Sequence, residues 1–177
     1  MILPLLAPDE LCIGVAVDVP DPFAGELADA RARFGDPEAG LIPPHVTLLG
    51  PMRVHNDDLP TIDAHLAQVA ARHRAFDMLL EGSGTFRPVT PVVFVQVAHG
   101  AQSCAALADD LLDIPVDYEP RFAYHPHATV AHGLADDLLD AAQTAMATYS
   151  AAFEVTSFGR YEHDDGGWRP ARTFALG

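Results

Sequence analysis

Positive charge is scarce in this sequence: 10 Lys plus Arg stand against 25 Asp plus Glu, a formal net charge of −15 over 177 residues. Nonspecific nucleic-acid binding needs several cationic side chains to displace counterions from phosphates, and no basic run or stripe is present, which argues against an extended nucleic-acid surface. A nucleotide substrate is therefore expected to be small, or a chain end rather than a long RNA. The acidic surface also keeps a protein soluble, whatever its activity. Cysteine is nearly absent. Only Cys12 and Cys104 occur, one in an apolar run and one on a predicted helix, so a disulfide framework is not expected; the cytoplasm is the expected compartment and both thiols are expected to be packing residues. Long apolar runs are missing too. A spanning helix needs roughly 20 consecutive apolar residues, whereas Met1 to Leu6 is broken by Pro4 and followed by Pro8, and it lacks the basic start of a secretory signal. No membrane partner is implied. There is also no glycine-rich phosphate loop and no Gly-x-Ser-x-Gly nucleophile turn.

What is abundant is apolar material, 49% of the chain, enough to fill the core of one compact unit or of two small packed lobes. Periodicity predicts a strand over Leu11 to Val17 and a helix from about Pro22 to Phe34, with Phe23, Leu27, Ala30 and Phe34 at helical spacing. A strand over Val46 to Leu49 is expected to stop at Gly50-Pro51, followed by an amphipathic helix from about Leu59 to His73. Further strands fit Phe76 to Leu80, Val92 to Val97, His127 to Ala131, Phe153 to Arg160 and Arg172 to Leu176, with helices near Gln102 to Leu112 and Asp136 to Tyr149. The turn sequence Asp164-Asp165-Gly166-Gly167 separates the last two strands.

These elements come twice, the second copy displaced by roughly 80 positions, about 11–98 and 92–177. Leu27-Ala28-Asp29 answers Leu107-Ala108-Asp109, Asp57-Asp58-Leu59 answers Asp136-Asp137-Leu138, and His45-Val46-Thr47-Leu48 answers His127-Ala128-Thr129-Val130. Their order and near-constant offset carry more weight than any single match. The expected architecture is α+β: a single bilobal domain over 1–177, two lobes about a pseudo-twofold axis, each a mostly antiparallel sheet flanked by helices, with a cleft between them.

Residues i and i+2 of a strand share a face, so His45 projects with Thr47 and His127 with Thr129. An imidazole can give or take a proton near neutral pH, and a threonine hydroxyl can donate to a phosphoryl oxygen. Where two such imidazoles flank a phosphodiester, one can deprotonate the attacking water and the other protonate the leaving oxygen, and no metal is then required. The threonines would steady the nonbridging oxygens. The residues themselves leave open which histidine is acid and which is base.

Other side chains offer weaker readings. His125, His127 and His132 resemble metal ligands in spacing, but no carboxylate completes a motif, so no metal and no cofactor is expected. Phe122, Tyr124 and Trp168 are candidates to stack on a base, with Tyr124 nearest the second motif, although packing is the commoner use of such rings. Arg53 and Arg121 could meet a phosphate, but solvated arginines are the commoner case.

The run Pro43-Pro44-His45-Val46-Thr47-Leu48 with His125-Pro126-His127-Ala128-Thr129-Val130 resembles the 2H phosphoesterases, which include the 2′-5′ RNA ligases and RNA 2′,3′-cyclic phosphodiesterases. Phe153 to Leu176, with Gly167-Trp168-Arg169, looks like that family too. The resemblance implies a bilobal fold and hydrolysis of a 2′,3′-cyclic phosphate on a small nucleotide or RNA end to a 2′-phosphate, with His45 as proton donor and His127 as acceptor. RNA-processing members often carry an arginine after the second motif, where this chain reads Val130-Ala131-His132-Gly133; the alternatives are that His132 substitutes as a donor to phosphate, that this function is lost, or that His132 only ends a strand at a turn. The alternatives of another kind are a noncatalytic nucleotide- or phosphometabolite-binding protein and 2′-5′ RNA end joining at the same histidines. A monomer is expected.

Overall fold

The computed structural model describes residues 4–177, so the start of the Met1 to Leu6 run lies outside the described residues. Among the described residues eight strands and four α-helices follow one another. They are β1 (Glu10–Asp18), α1 (Phe23–Phe34), β2 (His45–His55), α2 (Leu59–Arg72), β3 (Phe76–Thr85), β4 (Val92–His99), α3 (Ala101–Leu111), β5 (His127–His132), α4 (Asp136–Ala145), β6 (Ser150–Val155), β7 (Ser157–Asp164) and β8 (Gly167–Ala175). A short 3-10 turn, Asn56–Asp58, leads into α2. All strand pairs are antiparallel, in the order β6-β3-β4-β5-β2-β1-β7-β8. The fold is α+β and two-lobed: β6-β3-β4-β5 forms one sheet and β2-β1-β7-β8 the other, and only the Val46 to Ala128 bridge joins them.

Helices cover one face of each sheet because both their apolar stripes and one side of each strand must leave water. Leu27 and Ala30 of α1 are buried, and this helix packs on β5 and α4; α3, through Cys104, Leu107 and Leu111, packs on β2 and α2. The helix that follows the first strand of each repeat therefore reaches over the other lobe. Alternation along the two central strands decides which side is free. Val46, Leu48, Ala128 and Val130 are buried in the helix-covered core, so the residues between them face the opposite side. Both cysteines are core residues, 1% and 0% exposed, and burial pushes their thiols up to about 11 for Cys12 and about 12 for Cys104.

Three local features differ from the periodic pattern. The second strand does not stop at Gly50-Pro51 but runs on to His55. Its ladder with β1 shifts register between Ile13/Met52 and Val15/Leu49, and this bulge accommodates Pro51, which has no N–H to offer a ladder. The Gly50 N–H is satisfied instead by the Tyr118 hydroxyl at 2.9 Å. Secondly, the stretch expected as one strand from Phe153 to Arg160 is two, β6 on β3 and β7 on β1, so the chain passes from one lobe to the other across Thr156 alone. Thirdly, the last helix ends at Ala145, four residues before the expected Tyr149.

Candidate functional site

The antiparallel bridge between Val46 and Ala128 lies at the junction of the lobes, and pairing outward from it lays His45 beside Thr129 and Thr47 beside His127. All four side chains lie opposite the core, are half-buried, and line one cavity of about 220 Å³. Each histidine follows a proline, Pro44 or Pro126, which keeps the preceding residue extended. The carbonyl of that preceding residue receives the imidazole: His45 Nδ1 donates to Pro43 O at 2.7 Å and His127 Nδ1 to His125 O at 2.7 Å. A carbonyl can only accept, so the proton of each neutral ring sits on Nδ1 and Nε2 keeps its lone pair. The two motifs thus present the same tautomer in the same setting.

Burial disfavours the charged imidazole at both sites. It is the largest influence on His127, opposed by the hydrogen bond to His125 O and reinforced by the positive forms of His125 and His45, and it brings this ring down to about 4. His45 is lowered as well, first by burial and then by the Arg31 guanidinium, against the opposing bond to Pro43 O.

The surroundings of the two rings are unlike. Around His127 the lobe is filled by aromatic side chains: Phe86 meets it edge-on at 4.8 Å between ring centres, Phe94 lies at 5.2 Å, and Phe86 and Phe94 are 4.3 Å apart. Beyond β2 the cavity is lined by Gly14 and Ala16 of β1, Ala16 pairing with Thr47, and by Tyr161, Trp168, Leu49 and Gly50. A Cβ on Gly14 would come 3.3 Å from the Trp168 ring, so the absence of a side chain there is what lets the ring lie against the strand. The Tyr161 hydroxyl donates to the Asp18 carboxylate, which fixes that wall.

Of the other residues singled out in the sequence, His132 lines the cavity with Nδ1 3.4 Å from Glu38 Oε2, and Trp168 lines it too. Tyr124 is not among the lining residues; its hydroxyl donates to the Thr47 carbonyl at 3.1 Å, so it stands behind the first motif rather than in the cleft. Phe122 is 53% exposed and stacks only with Arg121, and Arg53 faces Glu10 outside the cavity. His125 turns on to Phe86 and Phe94, and among the described residues no group of three or more His, Cys, Asp or Glu side chains is placed to hold a metal ion. Arg31, Glu38, Ile42 and Tyr161 also line the cavity and were not read from the sequence. One signal did exist for Arg31. It sits four residues after Leu27, on the buried stripe of α1, where a charged residue is out of place unless paired.

Comparison with known proteins places this geometry among relatives. The family model described as the 2′-5′ RNA ligase superfamily matches residues 19–167. A Bacillus licheniformis protein provisionally named a phosphoesterase is 27% identical over 155 residues, 86% of this chain and 91% of that one. A similarly named Halalkalibacterium halodurans protein is 27% identical over 167 residues, covering 93% and 96%. Among solved structures, Escherichia coli LigT complexed with 3′-AMP superposes with a TM-score of 0.72 at 18% identity, over 94% of this chain and 98% of that one. No helix among the described residues is long and apolar enough to cross a membrane.

Proposed function

The chain belongs to the 2′-5′ RNA ligase superfamily, and on that footing we propose that it is a phosphoesterase hydrolysing a 2′,3′-cyclic phosphate on a small nucleotide or RNA end to a 2′-phosphate. The observation that carries this reading is the twofold arrangement of His45, Thr47, His127 and Thr129 around one bridge, with both Nε2 atoms left available. The phosphorus sits between the two imidazoles. Thr47 and Thr129 hydroxyls donate to the nonbridging oxygens, where charge builds as water adds.

The unequal walls support a division of labour. In a 2′,3′-cyclic phosphate both ester oxygens belong to the ribose, so the nucleoside lies on the side of the leaving oxygen and water attacks from the other. The cavity extends over β1, in the lobe that carries His45, from Ala16 beside Thr47 to Gly14, and the family resemblance makes the first-motif histidine the proton donor. His45 accordingly protonates the departing O3′ from Nε2, and His127, walled by Phe86 and Phe94, takes the proton of the attacking water on its Nε2. The depressed pKa of His127 keeps it neutral and ready as a base. Tyr161 and Trp168 form the surface against which a base would lie. That the Escherichia coli neighbour holds 3′-AMP is in keeping with a nucleotide ligand.

The test is a panel of 2′,3′-cyclic nucleotides and short RNAs with cyclic ends, followed by phosphorus NMR to identify the product. A 2′-phosphate is expected, with loss of about 10² to 10⁴ in rate for His45→Ala and for His127→Ala. Turnover retained in both variants overturns the mechanism. Tight binding with no product would instead make this a sensing protein.

A further inference from the structure

Every cation in this chain is an arginine; lysine is absent. Of the ten arginines only Arg31 lines the cavity that holds the two histidines, and the remaining lining groups capable of charge are Glu38, His45, His127 and His132. Arg31 is 2% exposed. Its Nε donates to Asp36 Oδ2 at 3.0 Å and its Nη2 lies 2.8 Å from the same oxygen. Asp36 is placed for this by the helix end: Gly35, at φ 81°, turns the chain, the Asp36 N–H returns to the Arg31 carbonyl at 3.1 Å, and the other carboxylate oxygen caps the Glu38 N–H at 2.9 Å. The second terminal nitrogen of the guanidinium, Nη1, has no protein partner among the described residues. It is not sealed either, because the one fully enclosed and unpartnered side-chain nitrogen or oxygen among them is His65 Nε2. A buried guanidinium on the cavity wall, held by one carboxylate and with one NH₂ group left over, thus has that group open to the cavity.

We infer that Arg31 is the anion anchor of this site, a binding residue whose free Nη1 donates to a nonbridging or adjacent oxygen of the substrate phosphate. The inference rests on the phosphoesterase reading for its substrate but not for its test. A molecule of net charge −15 repels phosphate at long range, so a permanent positive charge is needed where the phosphate sits, and neither histidine supplies one at neutral pH while both are depressed by burial. Asp36 offsets part of that charge but also orients it, since it occupies Nε and Nη2 and leaves the Nη1 corner of the fork forward. The influence of the guanidinium on His45 places the charge beside the acid that donates to the leaving group. His132, already engaged with Glu38, is left a secondary contact.

The experiment compares inorganic phosphate binding by wild type, Asp36→Asn, and the double variant Arg31→Gln with Asp36→Asn, followed through the imidazole resonances of His45 and His127, together with kcat and KM on a 2′,3′-cyclic nucleotide. Both variants lose the ion pair, but only the second loses the cation. Asp36→Asn is expected to tighten phosphate binding by about threefold, because the amide oxygen still accepts from the guanidinium while the competing negative charge is gone, and the double variant to weaken it by about tenfold or more, with KM rising further than kcat falls. Equal weakening in both variants means that the pair is only a structural lock and overturns the inference, as does wild-type affinity in the double variant. If the double variant fails to fold, Asp36→Asn alone decides: weaker binding there overturns the anchor. Phosphate binding by wild type without turnover of any cyclic phosphate would sink the catalytic reading and leave Arg31 standing; no binding at all would sink both.

Discussion

At the scale of single residues, the shared Nδ1 contact of His45 and His127 makes the pH profile the sharpest readout. In the proposed mechanism His127 acts as base only when neutral, so activity is expected to rise as pH passes through about 4. In the same mechanism His45 acts as acid only when protonated on Nε2, so activity is expected to fall as pH rises through its own pKa, which burial sets below the ordinary 6.5. The expected kcat/KM profile of the free protein is therefore a bell with its maximum on the acid side of neutrality, and in His127→Ala the acidic limb disappears while the alkaline limb stays. An optimum above pH 8 would contradict the assignment of both rings. Tyr124 calls for a different prediction. Tyr124→Phe removes the donor to the Thr47 carbonyl and leaves that group short of a partner, so a loss of about 1 kcal/mol in thermal unfolding is expected, with kcat reduced because the Thr47 strand is less well held. An unchanged melting temperature would show that the contact carries nothing.

At the scale of elements, the loop before His45 is held by the last hairpin. Gly167 has φ 107°, a Cβ there would run into the Leu41 carbonyl, and the Trp168 N–H donates to that same carbonyl at 2.8 Å. Gly167→Ala is thus expected to cost about 1 to 3 kcal/mol through the strained backbone, and also to raise KM, because the displaced loop carries Ile42 and Pro43 on the cavity wall. Circular dichroism melting and steady-state kinetics check the two halves of that expectation. The elements themselves were largely legible. Alternating apolar residues marked the buried strands, and the doubled His-x-Thr words marked the two that meet. What stayed hidden was of longer range. The pattern at Gly50-Pro51 reads as a stop because the bulge that absorbs Pro51 depends on β1 and on Tyr118, far away in sequence. The strand-favouring residues from Phe153 onward carry no glycine or proline break before Gly159 and cannot reveal that β6 and β7 pair in different lobes, since pairing partners lie far away in sequence. Arg31 was overlooked for a like reason: its partner Asp36 is close, but the cavity it faces is assembled from both repeats.

At the scale of the whole molecule, charge and topology each have a consequence. A body of net charge −15 slows the approach of an anionic substrate, and salt screens that repulsion over about 8 Å at physiological strength. Raising ionic strength from a low value should accordingly increase kcat/KM, more for an oligonucleotide with a cyclic end than for a mononucleotide. A steep fall with salt, the signature of counterion release, would mean that a basic surface is being used after all. The passage of the chain between the lobes reaches further. Neither sheet is built from one half of the sequence: β2 and β1 are completed by β7 and β8, and β4, β5 and β6 by β3. Cutting in the connection between β3 and β4 should therefore yield two polypeptides that are each unstructured alone, yet reassemble when mixed, because each has edges that only the other satisfies. In the same terms, a half-length progenitor of this repeat could have been stable only as a pair of chains exchanging strands, with its histidines brought together by association.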